Sequence, residues 1–188
     1  MTSIIKVDQI QTAAGGTQTT QGLGLLGGIV SVRQALNQTR SAITTSATDF
    51  VDVTGLSVTL TPASANSKFL VFMRVFGELS ASDSHPISIA LFRDSTNVNA
   101  GSPTSIPRQS VISTAGSDYG AIDTDSTPQT WNATTLDSPA TTSEITYKVR
   151  LASQNETYTF YLNGTVSASE NAAYERGSSE LIILELNV

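Results

Sequence analysis

The sequence predicts an all-β protein: a jelly-roll-like β-sandwich carrying an extended N-terminal arm. Three observations predict it. Short apolar stretches of strand length recur between turn residues, about eight to ten of them. Ser and Thr number 51 of 188 residues, while charged residues make up only 14%. That mix is poor in the Glu, Lys and Ala that build exposed helices. Third, the longest apolar run, Lys68–Leu79 (KFLVFMRVFGEL), is β-branched and aromatic, with turn signals on both sides.

Residues 1–28 form the arm and 29–188 the head. The arm opens with MTSIIKVDQIQ and continues as a Gly-, Thr- and Gln-rich stretch that cannot bury enough apolar surface to fold alone. Ile4, Ile5, Val7 and Ile10 would be wasted on a pure linker, so the arm is expected to become ordered on something else. Gly22 to Gly27 matches G-x-G-x-x-G, but no strand immediately precedes it and nothing after it reads as a βαβ unit. A glycine hinge is the simpler reading.

The head begins at Ile29, with Val30, Val32 and Leu36 in its first strand. Segments 41–45 and 50–53 are extended candidates. Leu56, Val58 and Leu60 alternate with Ser57 and Thr59 until Pro62 stops them. In Lys68–Leu79, Phe69, Val71, Met73 and Val75 lie on one face and Leu70, Phe72 and Phe76 on the other. A strand wet on one face would alternate polar with apolar, and this one does not, so it requires cover on both sides. One cover is the domain's own second sheet. The other is expected to be another copy of the chain.

Ile87, Ile89 and Leu91 alternate with Ser88 and Ala90. Residues 94–129 are a long polar region with few apolar anchors, and loops of that length are usually functional or mobile. Trp131 to Leu136 reads as a strand. Ile145, Tyr147, Val149 and Leu151 give the strongest half-buried alternation in the chain. Tyr158, Phe160 and Leu162 follow, closed by the turn dipeptide Asn163-Gly164. LIILEL, 181–186, is apolar on both faces and is expected to pair centrally.

Several chemistries have no basis in the sequence. There is no cysteine, and His85 is the only histidine, so neither a disulfide framework nor a zinc cluster is expected. No G-x-S-x-G elbow accompanies His85. Asp118, Asp123 and Asp125 lack the glycine and distal glutamate of an EF-hand loop. No metal or cofactor is expected, and the chain reads as a non-enzyme. A net charge of −6 works against binding a phosphate backbone. The most apolar window near the start, 23–32, is glycine-broken and half the length of a membrane span of about 20 residues. The opening residues also lack a basic region followed by an apolar run, so no secretory leader is expected.

Several stretches resemble a known group. IIKVDQIQTAAGG resembles the opening of fibre-like virion proteins of marine tailed bacteriophages, including phages of cyanobacteria. TTSATDFVDVTGLSVTLTPASANSKFLVF, ALFRDST, LDSPATTSEITYKVR and ERGSSELIILEL resemble successive segments of the compact domain in those proteins. The resemblance implies a trimeric structural protein on the virion surface, a short tail or head fibre. It places attachment to another virion protein on Ile4, Ile5, Lys6, Val7, Asp8, Gln9 and Ile10. The head's loops would then face a host glycan or protein, with His85, Arg108, Tyr119 and Trp131 as candidate receptor contacts. Trp131 also has an ordinary reading as core. The runner-up is a capsid decoration protein without receptor binding.

Overall fold

The computed structural model describes residues 28–46, 49–80, 87–98, 126–153, 156–169 and 174–187, with the backbone also of 10–11, 17–18 and 113–115. In chain order the strands are β1 (Ile10–Gln11), β2 (Thr17–Gln18), β3 (Ile29–Asn37), β4 (Ser41–Thr44), β5 (Val51–Leu60) and β6 (Lys68–Leu79). There follow β7 (Ile87–Arg93), β8 (Thr96–Asn97), β9 (Ser113–Ala115), β10 (Gln129–Asp137), β11 (Ile145–Ser153), β12 (Thr159–Leu162) and β13 (Ser179–Leu186). No helix occurs among the described residues.

Two sheets make a sandwich. In the first, β13 lies between β3 and β6, β12 lies between β4 and β6, and β10 pairs with the other edge of β6. The second runs β5-β11-β7-β8, with β9 also on β7. The chain changes sheet from β4 to β5, from β5 to β6 and from β6 to β7. It does so again from β9 to β10, from β10 to β11 and from β11 to β12. This wrapping is the jelly-roll connection the pattern predicted. β5 runs unbroken where two short segments were expected. Its pairing with β11 shifts register between Lys148 and Arg150, opposite a stretch holding Gly55 at φ 80. Glycine adopts that conformation at little steric cost.

The period-2 pattern decides the core. Phe69, Val71, Met73 and Val75 of β6 all point inward and are buried. They meet Ile145, Tyr147, Val149 and Leu151 of β11 in one cluster. The Phe69 and Tyr147 rings stand 5.7 Å apart across the two sheets. Each such side chain contributes roughly 1.5–3 kcal/mol on burial. LIILEL falls in β13, which is central as expected, with Leu181 and Ile183 in the same core.

Polar groups tie the layers together. Asp137 on β10 accepts a hydrogen bond from the Tyr147 hydroxyl at 2.6 Å and pairs with Arg93 of β7, joining the two sheets. Glu78, buried, accepts from the backbone N–H of Val166 at 2.6 Å and of Thr127 at 3.0 Å, and from the Thr127 hydroxyl at 2.9 Å. Buried Glu185 takes the Ala63 N–H at 2.6 Å and the Ser31 hydroxyl at 3.1 Å. A carboxylate kept from water is tolerated where such donors replace its hydration.

Candidate interaction face

The two outward faces of the sandwich differ in kind. On the β5-β11 side the exposed pattern is polar and internally paired. Lys148 Nζ and Arg150 Nε lie 3.0 and 2.8 Å from the Asp52 carboxylate, and the Thr59 and Thr146 hydroxyls are 2.9 Å apart. That face is dressed for water.

The outward face of β3-β13-β6-β10 is apolar. Register sets its residues in rows that run across four strands. One row is Val32, Leu184, Leu70 and Leu136. The next is Gln34, Ile182, Phe72 and Thr134, and beyond it stands Leu36, Glu180, Arg74 and Asn132. Val32 is 54% exposed, Leu136 53%, Leu36 49% and Phe72 39%. These large apolar groups form a contiguous area instead of being scattered singly, and contiguity is what marks an interaction surface.

Charge on this face stands in two rows, Lys68 beside Leu186 and Arg74 beside Glu180. Arg74 Nη2 lies 3.2 Å from Glu180 Oε1 and donates to the Ser178 hydroxyl at 3.0 Å. Gln34 Nε2 donates to Glu180 Oε2 at 2.9 Å. Arg74 Nε is shielded from solvent and has no hydrogen-bond partner among the described residues. Beside this pair is a shallow depression of about 280 Å³, lined by Phe72, Arg74, Asn132, Thr134, Glu180 and Ile182.

The second cover expected for Lys68–Leu79 is therefore not supplied by the described part of the chain. Its inner flank is sealed by the second sheet, while Phe72 stays open on the outer flank. Sequence reasoning found the two-faced strand but not the rows, because cross-strand register is invisible in a single strand.

Of the candidate receptor contacts, Trp131 follows its core reading and not its contact one. It faces inward from β10, is only 5% exposed, and meets the Phe160 ring edge-on at 5.6 Å. Its position opposite Val75 of β6 fixes that orientation. His85, Arg108 and Tyr119 lie outside the described residues, as do Ile4, Ile5, Lys6, Val7, Asp8 and Gln9. Ile10 falls in β1, paired with Gln18 of β2. Asp118, Asp123 and Asp125 also lie outside them. Among the described residues no three His, Cys, Asp or Glu side chains gather closely enough to hold a metal ion.

No family model matches the chain, and no curated protein matches it. Among solved structures it is similar to that of the infectious bursal disease virus Gt strain, with 8% identity and a TM-score of 0.40 over 98% of this chain and 41% of that one. It is also similar to the VP2 subviral particle of infectious bursal disease virus, with 12% identity and a TM-score of 0.36 over 96% of this chain and 47% of that one. The chain spans less than half the length of these proteins. A likeness this distant carries no argument about activity or partners. The class defined by the structure itself is a jelly-roll-like β-sandwich with one polar and one apolar outer face.

Proposed function

We propose that this chain is a non-enzymatic structural component of a bacteriophage particle, a short tail or head fibre on the virion surface. Its head assembles as a homotrimer. Its arm, residues 1–28, docks on another virion protein through Ile4 to Ile10, by strand addition or by filling apolar grooves. The head presents its loops outward, and weak contacts to a host glycan or protein are multiplied by the trimer. The observation that carries this reading is the apolar outer face of β3-β13-β6-β10 beside a fully dressed polar one. A sandwich with that asymmetry is a building block with one side to be covered. The resemblance of the arm and of four head segments to phage fibre proteins points the same way.

The test is made on particles. Purified virions from an infection expressing the intact chain should contain it at a fixed copy number. Deleting residues 1–11 should leave a folded head that no longer joins them. Particles that still carry the truncated chain would remove the arm from the reading, and virions wholly lacking the intact chain would end it.

The removal of Trp131 from the receptor set favours one second reading, a capsid decoration protein that binds no host. A cell-binding assay comparing the intact protein with one lacking residues 97–129 separates the two. Equal and negligible binding selects decoration.

A further inference from the structure

The rows on the apolar face have a property that a surface for an unrelated partner would not need. Read across β3, β13, β6 and β10, two of the three rows read alike from either end: Gln34 and Thr134 enclose Ile182 and Phe72, and the first row is aliphatic throughout. Val32 at one end balances Leu136 at the other, with Leu184 and Leu70 between them. In the third row, acidic Glu180 on β13 stands beside basic Arg74 on β6.

Consider a rotation axis parallel to the strands, in front of the seam between β13 and β6. Rotation about it keeps every residue at its own height and brings the β3-β13 half of one copy onto the β6-β10 half of the next. Val32 then meets Leu136 of the neighbouring copy, Leu184 meets its Leu70, Ile182 meets its Phe72, and Glu180 meets its Arg74. Leu36, which stands out from the edge strand, comes opposite Asn132 and the adjoining depression, which has room for a leucine side chain. An axis across the strands does the reverse. It keeps each strand opposite its own copy and inverts the heights, so Glu180 meets either another Glu180 or the aliphatic Leu184. Like charges in contact are unfavourable, and a carboxylate pressed against leucine loses hydration that only its own Arg74 and Gln34 replace.

We infer that the outward face of β3-β13-β6-β10 is an interface between copies of this chain, arranged about an axis that runs along the strands. Both a dimer and a closed trimer satisfy this arrangement, since either keeps the rows level. Sheet twist makes the match best at the strands nearest the axis, β13 and β6, as in other face-to-face sheet packings. The inference deepens the proposed role as an assembling virion protein and rests on it only for the setting in which copies meet.

The chain contains no cysteine, so introduced pairs report contacts cleanly. Val32 and Leu136 of one copy are separated by three strand spacings, about 14 Å. A bismaleimide about 8 Å long cannot bridge that span between two thiols of one chain that point the same way. Across packed sheets the two positions face each other at about 10 Å, so the full-length variant carrying Val32→Cys and Leu136→Cys should, with that reagent, run as a covalent dimer or trimer on a denaturing gel. The pairing of Val32→Cys with Asn132→Cys is offset by four residues along the strand, about 13 Å, and should stay single. All three positions are exposed, so folding is not at stake, and the mass of the unaltered chain by light scattering is read in parallel. A monomer at micromolar concentration overturns the inference, and so does equal cross-linking of the offset pair. A monomeric chain still recovered on virions would sink this interface and leave the particle role standing; a cross-linked oligomer never found on virions would do the opposite.

Discussion

The Ser179 hydroxyl donates to Asn163 Oδ1 at 2.7 Å, and both residues are wholly buried. The same hydroxyl accepts from the Phe76 N–H at 2.9 Å. Asn163 Nδ2 donates to the Asn37 and Thr39 carbonyls at 2.9 and 3.1 Å. One amide thus ties β13, β6 and the turn between β3 and β4, and does so at φ 59, where Asn is among the few tolerated side chains. Asn163→Ala leaves several buried polar groups without partners and adds backbone strain, and is expected to cost about 3 kcal/mol. Asn163→Gly relieves the strain alone and should recover about 1 kcal/mol. Urea unfolding of the two variants separates the contributions. Equal stability of the two would show that backbone strain contributes nothing at this turn.

Gly77 marks the point where β6 leaves β13 and takes up β12. A Cβ there would sit 2.4 Å from the Tyr161 carbonyl oxygen and 2.5 Å from the Phe160 ring. The obstacle is backbone, so it cannot swing aside. Gly77→Ala is expected to lose about 3 kcal/mol and to unprotect the β12 amides in hydrogen exchange. Gly28→Ala meets nothing within 4 Å and serves as the control. It should change stability by less than about 0.5 kcal/mol.

Trp131 is the single tryptophan, so its fluorescence reports the core directly. Packed between Val75 and the Phe160 ring, it should emit as a buried indole and resist quenching by iodide until the head unfolds. Trp131→Ala should cost about 4 kcal/mol. Trp131→Phe, which keeps most of the volume, should lose less and leave any cell binding intact. Loss of binding in a Trp131→Phe protein of unchanged stability would return this residue to the receptor surface.

The sandwich was legible because period-2 alternation is local: Ile145, Tyr147, Val149 and Leu151 reveal their inward side without any neighbour. LIILEL could be placed centrally for the same reason, being apolar on both sides. What alternation cannot give is the register between strands. The expectation of two covers for Lys68–Leu79 was right about one. The rows joining Val32 to Leu136 appear only when β3, β13, β6 and β10 are set side by side. Trp131 was open to reading as core or as contact, with core the more ordinary, and its pairing opposite Val75 places it in the core. The buried polar supports, Asn163, Glu78 and Glu185, had no sequence signal beyond a turn dipeptide at Asn163, since their partners are backbone groups far away in the chain.

Tyr147 gives the fold a predictable response to alkali. Burial pushes its phenol well above the ordinary tyrosine value, and the hydrogen bond to Asp137 and that carboxylate's charge push the same way, against a smaller opposing effect of Arg93. The folded protein therefore keeps this proton where the unfolded chain, titrating near pH 10, has begun to lose it. The unfolded state then binds fewer protons than the native state, so stability falls as pH rises above about 10, by up to about 1.4 kcal/mol per pH unit from this one group. Below that pH both states hold the proton and the group contributes no slope. Tyr147→Phe removes the titration together with the hydrogen bond to Asp137. At neutral pH the variant should be about 1–2 kcal/mol less stable. Between about pH 10 and 11 its urea midpoint should decline less steeply than that of the unaltered protein, and the two curves should converge. Parallel curves across that range would show that the Tyr147 proton is held no more tightly in the folded head than in the open chain.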